Sequence, residues 1–262
     1  MTIGVGVFGA GGRMGSTVCQ AVLADPDLEL VAAVDPSYRG IDLRTVTGAD
    51  SDLRISGEAG VFERTGAQVV IDFSHRSASV GNLAWMAEHG LHAVVGTTGF
   101  SDDEFARFRA EFTRSNCVIA PNFAIGAVLM MHFAALAAPY FDSAEVIEFH
   151  HEAKIDAPSG TAMLTVQKMA EASQEWTPDP TEHEVVEGAR GGEGHGGIRV
   201  HSVRLRGLVA HQEVLLGTTG QTLTIRHDSI DRSSFMPGVL LAVKQVADRP
   251  GVTVGLDQLL GL

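Results

Sequence analysis

The segment HHEAKIDAPSGTA, from His150 to Ala162, concentrates groups that move protons and hold anions. A histidine titrates near neutrality and can give or take a proton in a transition state. Lys154 puts a cation within reach of the histidine pair. The Pro-Ser-Gly turn then opens a helix, and the N–H groups of Gly160 and Thr161 at its start would form an anion site. Together these describe a site for a small acidic substrate whose reduction needs a proton as well as a hydride. Two plainer readings stand beside it. One histidine could be satisfied in the core and the other solvated, or the pair could bind a metal. If the strand that carries them persists, however, adjacent histidines point to opposite faces and only one looks into a given cleft. The chain has no HExxH and no cysteine cluster, so no metal is expected.

A second motif, VFGAGGRMG, can bind phosphate. It departs from strict GxGxxG, since Met14 stands where the last glycine would fall; Gly9, Gly12 and Gly15 are instead spaced three apart. The physics is still that of a phosphate loop: a strand ends, glycines let the backbone approach a pyrophosphate, and a helix N-terminus presents its N–H groups. Asp35 follows 20 residues beyond Gly15, where a carboxylate can accept from a ribose hydroxyl. An acid there favours NAD, but Arg39 four residues on could serve an extra phosphate, so NADH and NADPH both stay open. The bland alternative, a glycine-rich turn with a loop aspartate, does not account for the strand, turn, helix, strand and acid occurring in order.

These residues need elements to position them. IGVGVFG, LELVAAVD, AQVVIDFS, LHAVVGTTG and CVIAPN read as strands, separated by helical patterns through STVCQAVLA, SVGNLAWMAEHG and a helix opened by SDDE. Ser101 and Glu104 have capping-box spacing, and Gly90 suits a helix C-terminus. VVGTTGF and APNFAIG each follow a strand, at the carboxyl edge where ligands of open α/β sheets bind. After about Ala144 the pattern changes. AEVIEFHH, IRVHSVRL, VAHQEVLL and QTLTIRH are strand-like, with Leu223 and Ile225 alternating against Thr222, Thr224 and Arg226 as in a half-exposed antiparallel sheet. The stretch from Thr177 to Gly197 is predicted as loop, and a last helix through SSFMPGVLLAVKQVAD should return to the first sheet. The expected fold class is α/β: a Rossmann-type doubly wound parallel sheet from residues 1–122 and 232–262, plus a second α+β domain, residues 123–231, with a mostly antiparallel open sheet.

Composition limits the partners. Nineteen Lys and Arg against 32 Asp and Glu give a net charge of −13 over 262 residues, which argues against nucleic acid as the main partner. No run of about 18 apolar residues offers a membrane span and the N-terminus does not read as a leader, so the protein is expected to be cytoplasmic. Cys19 and Cys117, too few for a disulfide framework and without CxxC spacing, read as reduced, buried, small hydrophobes.

GAGGRMG and HHEAKIDAPSGTA, with VVGTTGF and APNFAIG between them in that order, resemble the 4-hydroxy-tetrahydrodipicolinate reductase (dihydrodipicolinate reductase) family of the bacterial diaminopimelate and lysine pathway. The resemblance extends over nearly the whole chain, including RHDSIDRSSFMPGVLLAV. It implies that the loop Gly9, Ala10, Gly11, Gly12, Arg13, Met14 binds the cofactor pyrophosphate and Asp35 the adenosine ribose. It implies too that Gly96, Thr97 and Thr98, with Ala120, Pro121, Asn122 and Phe123, line the nicotinamide side. His150 becomes the proton donor or acceptor, Lys154 the proton donor and carboxylate partner, and His151, Gly160 and Thr161 substrate-binding positions. The implied reaction is NADH- or NADPH-dependent reduction of a small cyclic dicarboxylate by a homotetramer built through the second domain's sheet. Two positions depart from the family pattern: Pro36 stands where a basic residue often follows the ribose-binding acid, and His75 and Arg76 follow DFS where proline is common. Strong NADP preference is therefore not expected, and His75 reads as a surface residue. His183, His195, His201, His211 and His227 read as satisfied or solvated, and Arg199, Arg204 and Arg206 as either carboxylate partners or interface residues. The rival readings are another nicotinamide-dependent dehydrogenase of a small acid, and a non-enzymatic cofactor sensor whose second domain only oligomerises.

Overall fold

The computed structural model describes residues 2–262, and the chain divides into two compact units, residues up to Phe123 with Arg232–Leu262, and Ala124–Asp231.

The first unit alternates strands and helices: β1 (Ile3–Phe8), α1 (Arg13–Ala24), β2 (Leu28–Val34), α2 (Leu43–Thr47), α3 (Val61–Thr65), β3 (Val69–Asp72), α4 (Arg76–Glu88), β4 (His92–Val95), α5 (Asp102–Glu111) and β5 (Cys117–Ile119). In the second unit follow α6 (Ile125–Ala137), β6 (Ser143–His150), α7 (Gly160–Ala172), β7 (Gly192–Glu193), β8 (Arg199–Arg204), β9 (Ala210–Thr218) and β10 (Gln221–Ser229). The chain then returns to the first unit with α8 (Met236–Gln245), β11 (Val252–Val254) and α9 (Asp257–Leu260).

The first sheet has six parallel strands in the order β11-β5-β4-β3-β1-β2. Its inner strands are buried nearly throughout, as strands covered on both faces must be, and so their sequences are continuous apolar runs. Packing against the sheet is close enough to dictate residue size. A Cβ on Gly6 would lie 2.4 Å from the Phe62 ring, which in turn stacks edge-on against Phe8 at 4.8 Å. Past β2 a single parallel bridge from Val34 to Ser56 stands where a further strand would continue the sheet. The strand order therefore reverses between β1 and β3, the place where open α/β sheets leave a crevice. The capping box at Ser101 and Glu104 is present, and Gly90, at φ +69°, terminates α4. Cys19 and Cys117 are both free and buried; burial pushes the Cys19 thiol up to about 12 and Cys117 upward as well.

The second sheet runs β10-β9-β6-β8-β7 and is mixed: β6 and β8 are parallel, the other pairs antiparallel. Helices α6 and α7 belong to the same unit, and the strands bury Val146, Glu148, Val200, Gln212, Val214 and Leu216 on one face. Leu223 and Ile225 share that face by register with Leu216 and Val214, yet on the edge strand Leu223 remains 37% exposed. The segment from Thr177 to Gly197 is irregular apart from β7 and a short turn at His195–Gly197. Asp179 and Arg190 tie it to the sheet, through Arg199 at 3.0 Å and Glu145 at 2.6 Å respectively.

Candidate active site

In the first unit the glycine turn follows β1 directly. Gly9 has a φ of +68°, a left-handed conformation that favours glycine, and the Gly12 N–H donates back to its carbonyl at 3.0 Å. A Cβ on Gly15 would lie 2.0 Å from the same carbonyl oxygen, so that position is closed to every other residue. Gly11 lies under the Tyr38 ring, where a Cβ would come within 2.1 Å. Helix α1 starts at Arg13 and Met14 with no side-chain cap and no acidic residue in its first turn, leaving its N–H groups suited to an anion. Ala10, buried, bonds back to β2 through its N–H and the Val34 carbonyl.

Asp35 directly follows β2, and both its oxygens accept backbone hydrogen bonds, Oδ2 from Gly11 at 3.1 Å and Oδ1 from Ser37 at 3.0 Å. Each oxygen retains a further lone pair for a hydroxyl donor. A cleft of about 480 Å³ is lined by Gly9, Gly12, Asp35, Ser37, Phe73 and His75, among others. These residues fit a dinucleotide: bare glycine backbone and an uncapped helix start for the pyrophosphate, a carboxylate for the ribose. Arg39 is committed elsewhere, to Glu58 at 3.5 Å, with both side chains well exposed.

The other segments of this unit converge on the same edge. The Gly96 N–H donates to Asp72, buried Thr97 donates through Oγ1 to Ser74 at 2.8 Å, and Thr98 is exposed. A Cβ on Gly96 would strike the Phe73 ring at 1.9 Å. Phe73 also pairs with Phe123 at 5.8 Å, following exposed Pro121, half-buried Asn122 and buried Ala120, whose N–H bonds to Val95. Sequence reasoning missed Phe73 and Asp72. The latter is fully buried, its carboxylate accepting from Ser74 N–H and Asn82. His75 is exposed, caps α4 and lies on the cleft wall.

In the second unit β6 ends at His150. His151 lies beyond the strand, so the expectation that the two histidines take opposite faces of one strand does not apply. The strand instead pairs His150 with Glu148, two positions earlier on the same face. His150 Nδ1 contacts Glu148 Oε2, and Arg204 grips both carboxylate oxygens, Nη1 to Oε2 at 2.9 Å and Nη2 to Oε1 at 2.8 Å. The Ser159 N–H donates to Oε1 at 3.3 Å. Glu148 is 0% exposed. Burial pushes its carboxyl up, but hydrogen bonds from His150, Arg204 and Ser202 outweigh that and hold it down at about 2.

Lys154 approaches the histidines through the chain, its N–H bonding to the His151 carbonyl at 3.1 Å. Its ammonium is held by both oxygens of Asp156 at 2.7 Å, and that contact lowers the Asp156 carboxyl below its ordinary value. The segment then turns at Ala157-Pro158, and Ser159 caps α7 by accepting from the Ala162 N–H at 3.1 Å. Gly160 and Thr161 open the helix; a Cβ on Gly160 would meet nothing within 4 Å, so the space beside it is open. Glu148 and Asp156 were not singled out as site residues in the sequence; Arg204 was read there as a carboxylate partner or an interface residue, and the carboxylate it holds is that of Glu148. Among the remaining histidines, His201 bonds to Glu145 at 2.7 Å and His211 to Asp228 at 2.8 Å. Arg199 pairs with Asp179, and Arg206 with Glu152 at 3.5 Å. Among the described residues no group of three or more His, Cys, Asp or Glu could hold a metal ion.

Comparison with known proteins fits this arrangement. Models of the N-terminus and the C-terminus of dihydrodipicolinate reductase match residues 3–123 and 126–260. The chain belongs to the dihydrodipicolinate reductase family. It is 54% identical over 269 residues to the 4-hydroxy-tetrahydrodipicolinate reductase of Nocardia farcinica, covering 100% of both chains. The corresponding protein of Cutibacterium acnes is 51% identical, covering 99% of both. Among solved structures, the dipicolinate-bound dihydrodipicolinate reductase from Paenisporosarcina sp. TG-14 superposes with a TM-score of 0.85 at 38% identity, covering 98% of this chain and 99% of that one. An amine dehydrogenase from Mycobacterium smegmatis, at 15% identity and a TM-score of 0.68, shares the fold. As a member of the family the chain is an oxidoreductase whose first unit is a nucleotide-binding domain.

Proposed function

We propose that the chain reduces 4-hydroxy-tetrahydrodipicolinate to tetrahydrodipicolinate, in the diaminopimelate and lysine pathway, with NADH or NADPH as reductant. The observation that carries this reading is the grouping of His150, Lys154 and the open helix start at Gly160 on one short stretch of a family member. In the first unit the Gly9–Met14 turn and Asp35 would hold the cofactor's pyrophosphate and ribose, and Gly96–Thr98 with Ala120–Phe123 its nicotinamide end. A bound reduced nicotinamide supplies the hydride. Lys154 and the N–H groups at Gly160 and Thr161 hold the substrate carboxylates, with His151 beside them, and offset charge that builds up in the transition state. His150 and Lys154 supply the proton that completes the reduction. The dipicolinate bound by the Paenisporosarcina relative is a dicarboxylate of the size this reading requires.

Dual cofactor use is the reading that Asp35 and Arg39 support together. The acid favours NADH, and Arg39, whose pair with Glu58 at 3.5 Å is exposed and weak, can turn to the extra phosphate of NADPH, while Pro36 in place of a basic neighbour removes a strong NADPH preference. We further infer a cytoplasmic homotetramer assembled through the second sheet. In a coupled assay with aspartate semialdehyde, pyruvate and the upstream synthase, both nicotinamides should be oxidised only when the synthase is present. His150→Gln and Lys154→Ala should each cut kcat by on the order of a hundredfold or more. Failure of a folded, cofactor-binding wild type to oxidise either nicotinamide would discard the assignment. A non-enzymatic sensor would keep its output in both variants.

A further inference from the structure

Glu148 is a buried charge that the proposed reaction leaves without a task, and hydrogen bonds from four residues converge on it. The groups facing it are His150 on its own strand, Arg204 and Ser202 from β8, the cross-strand neighbour Gln212 from β9, and the Ser159 N–H at the start of α7. A carboxylate removed from water needs a counter-charge and filled lone pairs. Arg204 supplies the counter-charge with both Nη atoms, in the fork geometry that makes such pairs strong. The bond to His150 is therefore not needed to neutralise the acid, and is left to act on the ring.

An ionised carboxylate only accepts, so the hydrogen in that bond sits on Nδ1 of the resting His150 ring. Nε2 is then the atom that takes up a proton from solvent, giving an imidazolium that Glu148 stabilises, and passes that proton on to the reduced substrate. The pair also sets the surrounding chain. Oε1 receives the N–H of Ser159, the residue that caps α7, and Arg204 Nη2 donates to the Asp156 carbonyl at 2.7 Å. Asp156 in turn holds Lys154. One buried carboxylate and one guanidinium thus fix the histidine, the lysine-bearing loop and the helix start.

We propose that Glu148 and Arg204 form a positioning pair for the reduction, holding His150 as its Nδ1–H tautomer and setting the Lys154 loop and the Gly160 helix start against it. This rests on the reductase reading, so the test has one arm that needs no turnover. Nitrogen-15 NMR of the histidine rings, with His150 assigned by substitution, should show the Nδ1–H form in the wild type at neutral pH. In Glu148→Gln, whose amide can donate as well as accept, and in the double variant E148Q/R204M, which removes both charges together, that form should give way to a mixture with Nε2–H. In the coupled assay both variants should lose on the order of ten- to a hundredfold in kcat, with the KM for nicotinamide unchanged. Glu148→Asp, which keeps the charge, should recover part of the loss.

A wild-type ring in the Nε2–H form overturns the proposal at once. So does a folded E148Q/R204M with wild-type kcat and ring state, which would reduce the pair to a structural ion pair; should that variant not fold, wild-type kcat and ring state in the isosteric E148Q overturn it equally. An inactive wild type with an Nδ1–H ring that E148Q disturbs would overturn the reductase reading while supporting the action of Glu148 on the ring.

Discussion

Lys154 carries its own competitor. Its ammonium lies against both oxygens of Asp156, so in the proposed role a substrate carboxylate would have to draw the lysine away from an acid two residues along the chain. Lys154 is 20% and Asp156 59% exposed, and ion pairs open to water are worth about 0–1 kcal/mol. Asp156→Asn should therefore strengthen dipicolinate binding by up to about fivefold, measured by calorimetry at low salt, with the gain fading as salt screens the site. An unchanged or weaker affinity would mean that Asp156 orients the lysine rather than restrains it. At this scale the sequence was legible where chemistry and spacing coincide, as at Gly9, Gly12, Gly15 and Asp35, and in the order of His150, His151, Lys154, Gly160 and Thr161, though not in the partner that Lys154 finds in Asp156. Glu148 was not, because a glutamate in a strand reads as a solvated side chain until the partner two positions on and the arginine on β8 are seen to share its face. Phe73 was hidden for a related reason: its importance lies in filling the space that Gly96 leaves, a contact made across the sheet edge.

At the scale of elements, the junction between β6 and α7 should respond to acid. Glu148 titrates at about 2 in the folded chain against an ordinary 4.5. A carboxyl lowered by folding adds stability that is fully present above its unfolded value and is lost as pH falls through its folded one. The stability difference between the wild type and E148Q/R204M should accordingly shrink from about pH 4.5 down to about 2, as followed by denaturant unfolding at a series of pH values. A difference independent of pH over that window would show that the folded chain does not hold this carboxyl down. The elements that periodicity reveals, the strands and helices of the parallel sheet, stand where alternation of type demands them. Helix α6 escaped because its apolar residues run nearly all round it and leave no polar face to mark a period. Strand β11 escaped because it is only Val252–Val254, shorter than any pattern can register. The parallel pairing of β6 with β8 was equally invisible, since neighbouring strands declare their direction through the path between them and not through composition.

For the whole molecule, the second unit is an excursion from the first: the chain leaves the parallel sheet after β5, builds Ala124–Asp231, and returns to add α8 and β11. The glycine turn, the change of pattern near Ala144 and the last helical stretch announce such an arrangement in the sequence, and the return is packed at Gly238, where a Cβ would sit 2.1 Å from the Phe123 carbonyl and only glycine lets the helix close. A chain ended at Asp231 would lack β11 and expose the outer edge of β5, an unpaired row of apolar Cys117–Ile119 backbone. It is expected to be insoluble at concentrations where the full chain stays in solution, as sedimentation after expression would show; a soluble, cofactor-binding fragment would mean the edge strand is dispensable. The same β5–β11 pairing fixes an order of events on the ribosome. At roughly five to twenty residues per second, the nascent sheet must wait on the order of five to twenty seconds, while the whole inserted unit is synthesised, before its last strand exists. The inserted unit, continuous in the chain, can finish first, so the part made earliest is the part completed last, and its open edge is where a chaperone has most to protect.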